Sequence, residues 1–162
     1  MVLETLTLDT MTDSVCHELA GGILARKGSN VWSIGPDATV FEAVHLMDEA
    51  GAGALLVLHG GRLIGMISER DYARKVVLKG RSSHETRVSD IMSTPAISVT
   101  PDKRVTDCLR LMTEQRIRHL PVIENGVLQG VVSIGDLVNA VLSAQATEMR
   151  QLKSYVAGHY PA

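Results

Sequence analysis

Two short stretches carry the groups best suited to chemistry. Ser68 and Asp71, and again Ser133 and Asp136, form Ser-x-x-Asp where a strand should give way to a helix. A carboxylate there can accept hydrogen bonds from two adjacent hydroxyls of a sugar, and the unpaired N–H groups of a helix start favour an anion beside it. The serines can donate to a hydroxyl or a phosphate oxygen. The same residues can instead serve the helix itself, Asp by accepting from backbone N–H groups and Ser by a local turn bond. Cations stand near the first pair only: Arg70 precedes Asp71, whereas Gly135 precedes Asp136. Arg116 and Arg118 alternate on one face of what reads as an extended stretch, followed by His119. The planar donors of Arg can pair with two phosphate oxygens at once. A solvated edge would account for the arginines equally well, and a satisfied buried histidine would account for His119. Arg74 and Lys75 read as a wet helix face.

The elements that position these groups are written twice. The segment 33–71 aligns on 98–136 without a gap, 65 residues apart. Pro36-Asp37 falls on Pro101-Asp102, Leu46-Met47 on Leu111-Met112, Leu55 and Val57 on Leu120 and Val122, and Gly61, Leu63 and Gly65 on Gly126, Leu128 and Gly130. An internal repeat fixes the architecture before any single motif does, and two copies are too few for a solenoid. They imply two similar units packed about a pseudo-twofold axis through their sheets, with paired clefts between them.

Each copy reads strand, helix, strand, strand, helix (β-α-β-β-α). In the first, residues 31–34 form a short strand. Thr39 and Glu42 have capping-box spacing, Val40, Ala43, Val44 and Met47 give one apolar helix face, and Gly51 is placed to stop the helix. The apolar run 54–58 is a covered strand, a turn over 59–62 follows, and 63–67 returns. A second helix runs over 69–79. In the second copy, 96–99 is a strand and Val105, Cys108, Leu109 and Met112 form the helix face. Arg104 stands where the capping Thr should be, which weakens that helix start. Residues 120–123 and 128–133 flank Asn125-Gly126, a type I′ turn signal. A long helix opens near Asp136 and runs to about residue 155. Ahead of the repeats, residues 1–12 read as a tail and 13–27 as a helix, with Gly21-Gly22 lowering its propensity. The fold class is therefore α/β (α+β), divided as 1–29 (tail and helix), 30–80 (first unit), 81–94 (linker), 95–145 (second unit) and 146–162 (end of the last helix and tail).

Composition excludes several functions. With 162 residues, 45% hydrophobic and a net charge of −2, the chain has no electrostatic footprint for nucleic acid. One Trp, one Phe and three Tyr leave few stacking platforms for single strands. No apolar run approaches the roughly 18 residues of a membrane span. Cys16 and Cys108 lack metal-site or disulfide-framework spacing, and Cys108 lies on an apolar helix face as a core residue. The N-terminus lacks the basic start and apolar core of a secretory signal and the arginines of a transit peptide, so a reducing, cytoplasmic setting is the expectation. An enzyme acting on nucleotides fails on inventory: there is no Gly-x-x-x-x-Gly-Lys-Ser/Thr loop, no GxGxxG opening a helix and no cluster of His or Cys for a metal.

The two copies, closing on Gly-Met-Ile-Ser-Glu-Arg-Asp (65–71) and Gly-Val-Val-Ser-Ile-Gly-Asp (130–136), with Val-Ser-Asp-Ile-Met (88–92) and Arg-Ile-Arg-His-Leu-Pro-Val (116–122) between, resemble a pair of CBS domains, the cystathionine β-synthase type or Bateman module. The resemblance covers about residues 30–145 and is nearest to small stand-alone bacterial CBS-pair proteins and plant single-pair CBS proteins described as thioredoxin regulators. It implies a regulatory, non-enzymatic module that binds AMP, ADP, ATP, NAD or S-adenosylmethionine in the clefts and pairs into a homodimer acting on a downstream protein. Carried over by position, the Asp71 site would use Ser68, Arg70, Thr94, Ala96 and Ile97, with Arg118 and His119 for phosphate. The Asp136 site would use Ser133, Val31 with Trp32, and Ala54 with Gly53, and would be the weaker. The other function open to such a chain is a partner-binding or scaffold protein, for example a thioredoxin regulator, with no ligand requirement.

Overall fold

The structure, a computed structural model, describes residues 17–158; the readings of residues 1–12 and of Cys16 lie outside the described residues. In chain order the elements are α1 (Ala20–Lys27), β1 (Ser33–Ile34), α2 (Val40–Ala50), β2 (Ala54–His59), β3 (Arg62–Ser68), α3 (Glu69–Tyr72), a π-helical turn (Ala73–Val77), α4 (Val88–Ile91), α5 (Val105–Gln115), β4 (His119–Glu124), β5 (Val127–Ser133) and α6 (Ile134–Val156). They form two compact units. One is Asn30–Ser98; the other joins residues 17–29 to the chain from 99 onward.

In the first unit the sheet order is β1-β2-β3. β1 runs parallel to β2 (Ser33↔Leu56), and β2 pairs antiparallel with β3 from Ala54↔Ser68 to His59↔Arg62, with a register shift after Val57. Helix α2 starts on the expected capping box: Thr39 Oγ1 accepts from the Glu42 N–H at 3.1 Å, and Glu42 Oε2 accepts from the Thr39 N–H at 2.7 Å. It stops at Gly51 in the left-handed conformation (φ 61°, ψ 32°). The core comprises Val40, Ala43, Met47, Leu55, Val57, Ile67, Val76, Val88 and Ile91. Val88 and Ile91 come from beyond the repeat, in α4, and are 0% and 1% exposed. Burying each stabilises by about 1.5–3 kcal/mol, a large share of what a small unit has.

The second unit repeats this with an exchange of segments. β4 and β5 pair antiparallel from His119↔Ser133 to Glu124↔Val127, and Asn125 (φ 49°) and Gly126 (φ 77°) make the turn. Here α1, from ahead of the first copy, fills the place that α4 fills in the first unit. Its Ala20, Ile23 and Leu24 join Val105, Cys108, Met112, Leu120, Val132 and Leu137 in the core. Burial pushes the Cys108 thiol up to about 11.

Five expectations need correction. The helix expected over 13–27 begins, within the described residues, at Ala20; Leu19 before it is extended (φ −104°, ψ 155°) and bridges Arg104. The Ala20 N–H donates to the Lys103 carbonyl, the Gly21 N–H to that of Pro101 and the Val105 N–H to that of Glu18. The first strand is only Ser33–Ile34. The strand expected over 96–99 is a single bridge, Val99↔Val122; in the first unit the Leu56 N–H donates to the Trp32 carbonyl, and its counterpart in β4 is Pro121, which has no N–H to give the Ile97 carbonyl. The helix expected over 69–79 widens after Tyr72 into the π turn, which places Val76 in the core. Arg116 is not extended: it caps α5 in the left-handed region (φ 54°).

Candidate functional site

Each Ser-x-x-Asp sits where a returning strand enters a helix, and each is a capping box. In the first unit, Asp71 Oδ2 accepts from the Ser68 N–H and hydroxyl, both at 3.0 Å, and Ser68 Oγ accepts from the Asp71 N–H at 3.2 Å. The helix-serving alternative is thus realised on one carboxylate oxygen. The other, Oδ1, faces Lys75 Nζ at 2.9 Å and the Ser93 hydroxyl at 3.5 Å. The Asp71 side chain is only 13% exposed. Lys75 also donates to the Ile91 carbonyl at 2.8 Å, tying α4 to the site.

Ser93 reaches this carboxylate because its segment, with Thr94, lies along β3. Met66 and Ser93 exchange both backbone hydrogen bonds, at 3.0 and 2.8 Å, and Thr94 Oγ1 donates to the Ile64 carbonyl at 2.7 Å. Gly65 permits the approach: a Cβ there would stand 2.7 Å from the Ser93 carbonyl oxygen. Ala96 is half-buried and Ile97 exposed further along the same segment. Arg70 is exposed at the start of α3. Ala54 pairs with Ser68, and the Gly53 carbonyl accepts from the Glu69 N–H; both adjoin the Asp71 helix start within this unit, which also holds half-buried Val31 and exposed Trp32.

In the second unit Asp136 Oδ2 accepts from the Ser133 N–H at 2.8 Å and from Lys27 Nζ at 2.6 Å. Lys27 also donates to the Val131 carbonyl at 3.0 Å. Burial pushes the Asp136 carboxyl up, but the Lys27 hydrogen bond, the Ser133 backbone bond and the Lys27 charge outweigh it, leaving the group below the ordinary aspartate value. His119 is half-buried and pairs with Ser133, while exposed Arg118 accepts the Ile134 N–H on its carbonyl.

The two carboxylates therefore share a cap and differ in their counter-ion. Lys75 comes from one turn along the Asp71 helix, and its equivalent in the second unit is Ala140. Lys27 comes from α1. The i,i+4 spacing of Asp71 and Lys75 carried a signal for that pair. Nothing local in the sequence signalled Lys27 or Ser93. Among the described residues no group of three or more His, Cys, Asp or Glu could hold a metal, and no helix is long and apolar enough to cross a membrane.

The CBS-domain family model matches twice, over residues 24–78 and 88–143. The chain belongs to the CBS-domain family. Both matches begin in the segments, α1 and α4, that pack against the opposite copy's sheet or their own. This CBS pair is 44% identical over 138 residues to the mitochondrial CBS domain-containing protein CBSX3 of Arabidopsis thaliana, covering 82% of this chain and 66% of that one, just under two thirds of the plant protein's length. It is similar in fold to a putative signal-transduction protein with CBS domains from Burkholderia ambifaria (TM-score 0.75, 44% identity, 77% of this chain and 94% of that one). It is also similar to a hexameric CBS-CP12 protein from bloom-forming cyanobacteria (TM-score 0.66, 34% identity, 74% and 70% covered). CBS domains are regulatory modules, and those of stand-alone pairs are generally not enzymes.

Proposed function

We propose that this CBS pair is a sensor for an adenine nucleotide, AMP, ADP, ATP or NAD, that regulates a partner protein, with the ribose held at Asp71. The observation that carries this reading is the half-engaged carboxylate: Oδ2 is committed to the cap, while Oδ1 meets the side chains of Lys75 at 2.9 Å and Ser93 at 3.5 Å. Side-chain partners can be exchanged for ribose hydroxyls without unmaking the helix start. Ser68 and Ser93 supply hydroxyls beside it, and Lys75 and Arg70 supply positive charge suited to a phosphate. On the Asp136 helix, Gly135 and Ala140 stand where the first unit has Arg70 and Lys75, so that helix brings no positive charge of its own to a phosphate, and the Asp136 site is the weaker.

Titration calorimetry with AMP, ATP and NAD tests this on the wild type and on Asp71→Asn, a change that keeps an acceptor for the cap and removes the charge. Binding of one nucleotide, weakened at least tenfold in Asp71→Asn and much less in Asp136→Asn, is the expected result. Heat from none of them would leave the ligand-independent reading, a partner-binding protein, in its place.

A further inference from the structure

Helix α6 has two unlike halves. As far as Ala144 it is packed: Leu137 and Ala140 are buried in the unit's core, with Val141 and Ala144 against it. From 145 to 158 every residue but Ser154 is exposed. An isolated helix of about 12 residues is marginal in water, and this one carries large apolar side chains into solvent. Tyr155 is 66% exposed. Val138 and Leu142, on the outer side of the packed half, and Met149, Leu152 and Val156 beyond it are 42%, 56%, 54%, 56% and 86% exposed.

Their spacing is not random. With Gln145 they advance by four, three, four, three and four residues, the alternation of a coiled-coil seam. Leu142, Met149 and Val156 occupy a positions, and Val138, Gln145 and Leu152 occupy d positions. The seam is distinct from the face that α6 buries, since Leu137, Ala140 and Ala144 fall between these positions. The flanking charges identify the occupant. Glu148 falls at g and Lys153 at e, five residues later. In a parallel pair of identical helices, g of one meets the following e of the other, so both Glu148–Lys153 contacts form. In an antiparallel pair g meets g and e meets e, which sets Glu148 against Glu148. A polar residue at one core position, here Gln145, fixes register.

We propose that α6 forms a parallel, two-stranded coiled coil with α6 of a second copy of this chain, over residues 138–156, about 27 Å of helix. The pairing does not depend on the nucleotide reading, and its test is run without nucleotide. In Leu152→Cys, an in-register parallel pair sets the two thiols face to face within disulfide reach. Mild oxidation should convert most of the protein to a dimer reversed by dithiothreitol. Arg150→Cys, on the outer face, and the wild type should stay monomeric on the same denaturing gel. By sedimentation equilibrium, Glu148→Lys and Lys153→Glu should each raise the dimer dissociation constant severalfold, and the double exchange should restore it. A monomer at all concentrations overturns the proposal, as does a dimer whose Leu152→Cys thiols cross-link no better than those of Arg150→Cys, since another face then holds the copies. A double exchange that fails to restore pairing overturns the parallel arrangement.

Discussion

Lys27 and Asp136 meet at 2.6 Å although 109 positions separate them, and their pairing has a defined pH signature. The Asp136 carboxyl lies below its ordinary value in the folded chain. Its contribution to stability is therefore complete above the usual aspartate range, near pH 4, and is lost as pH falls through the depressed value. Lys27→Met should flatten the fall in urea-unfolding free energy between about pH 5 and pH 3. At pH 7 the cost should be no more than about 1 kcal/mol, because Lys27 is 39% exposed and such pairs are screened. An unchanged acid limb would show that the pair persists when unfolded or carries no energy. At this scale the sequence was informative about groups and silent about company. Ser68, Asp71, Ser133 and Asp136 were legible because a repeat marks them and their type suits both a cap and a sugar. Lys27 and Ser93 were not, since each reaches its carboxylate through a segment packed from far along the chain.

Helix starts tell a similar story one level up. Thr39 and Glu42 form a reciprocal cap on α2, whereas Arg104 at the equivalent place on α5 makes no side-chain cap. Thr39→Ala should lower stability by about 1 kcal/mol. Arg104 already has the extended backbone of a capping residue (φ −66°, ψ 144°), so Arg104→Thr should raise it by about 0.5–1 kcal/mol. Thermal melts of the two variants should shift in opposite directions. These caps, the strands over 54–58 and 63–67 and the Asn125-Gly126 turn were all readable, because each is decided by residues within a few positions. The segment 96–99 misled: its match to the first copy suggests a strand, but its partner strand carries Pro121 where the first copy has Leu56, and hydrogen bonds form only at Val99. The π turn after Tyr72 was equally hidden. Its i→i+5 hydrogen bonding goes with a buried Val76, and nothing in Ala73–Val77 itself signals it.

For the molecule as a whole, repeat and unit are not the same thing. The sequence copies suggest a cut near residue 80, but Val88 and Ile91 lie in the core of Asn30–Ser98. A fragment spanning 30–98 should show a cooperative urea transition by circular dichroism, and one ending at 80 should show none; equal behaviour of the two would mean α4 is dispensable. The exchange also sets a timetable on the ribosome. Everything that Asn30–Ser98 needs has been made once residue 98 emerges. Helix α1 is in a different position, because its lysine waits for Val131 and Asp136, 104 and 109 residues later. At roughly 5–20 residues per second that is a wait of about 5–20 s. For that interval Ala20, Ile23 and Leu24 form an apolar stripe with no finished sheet of its own to cover it, beside a neighbour already able to fold.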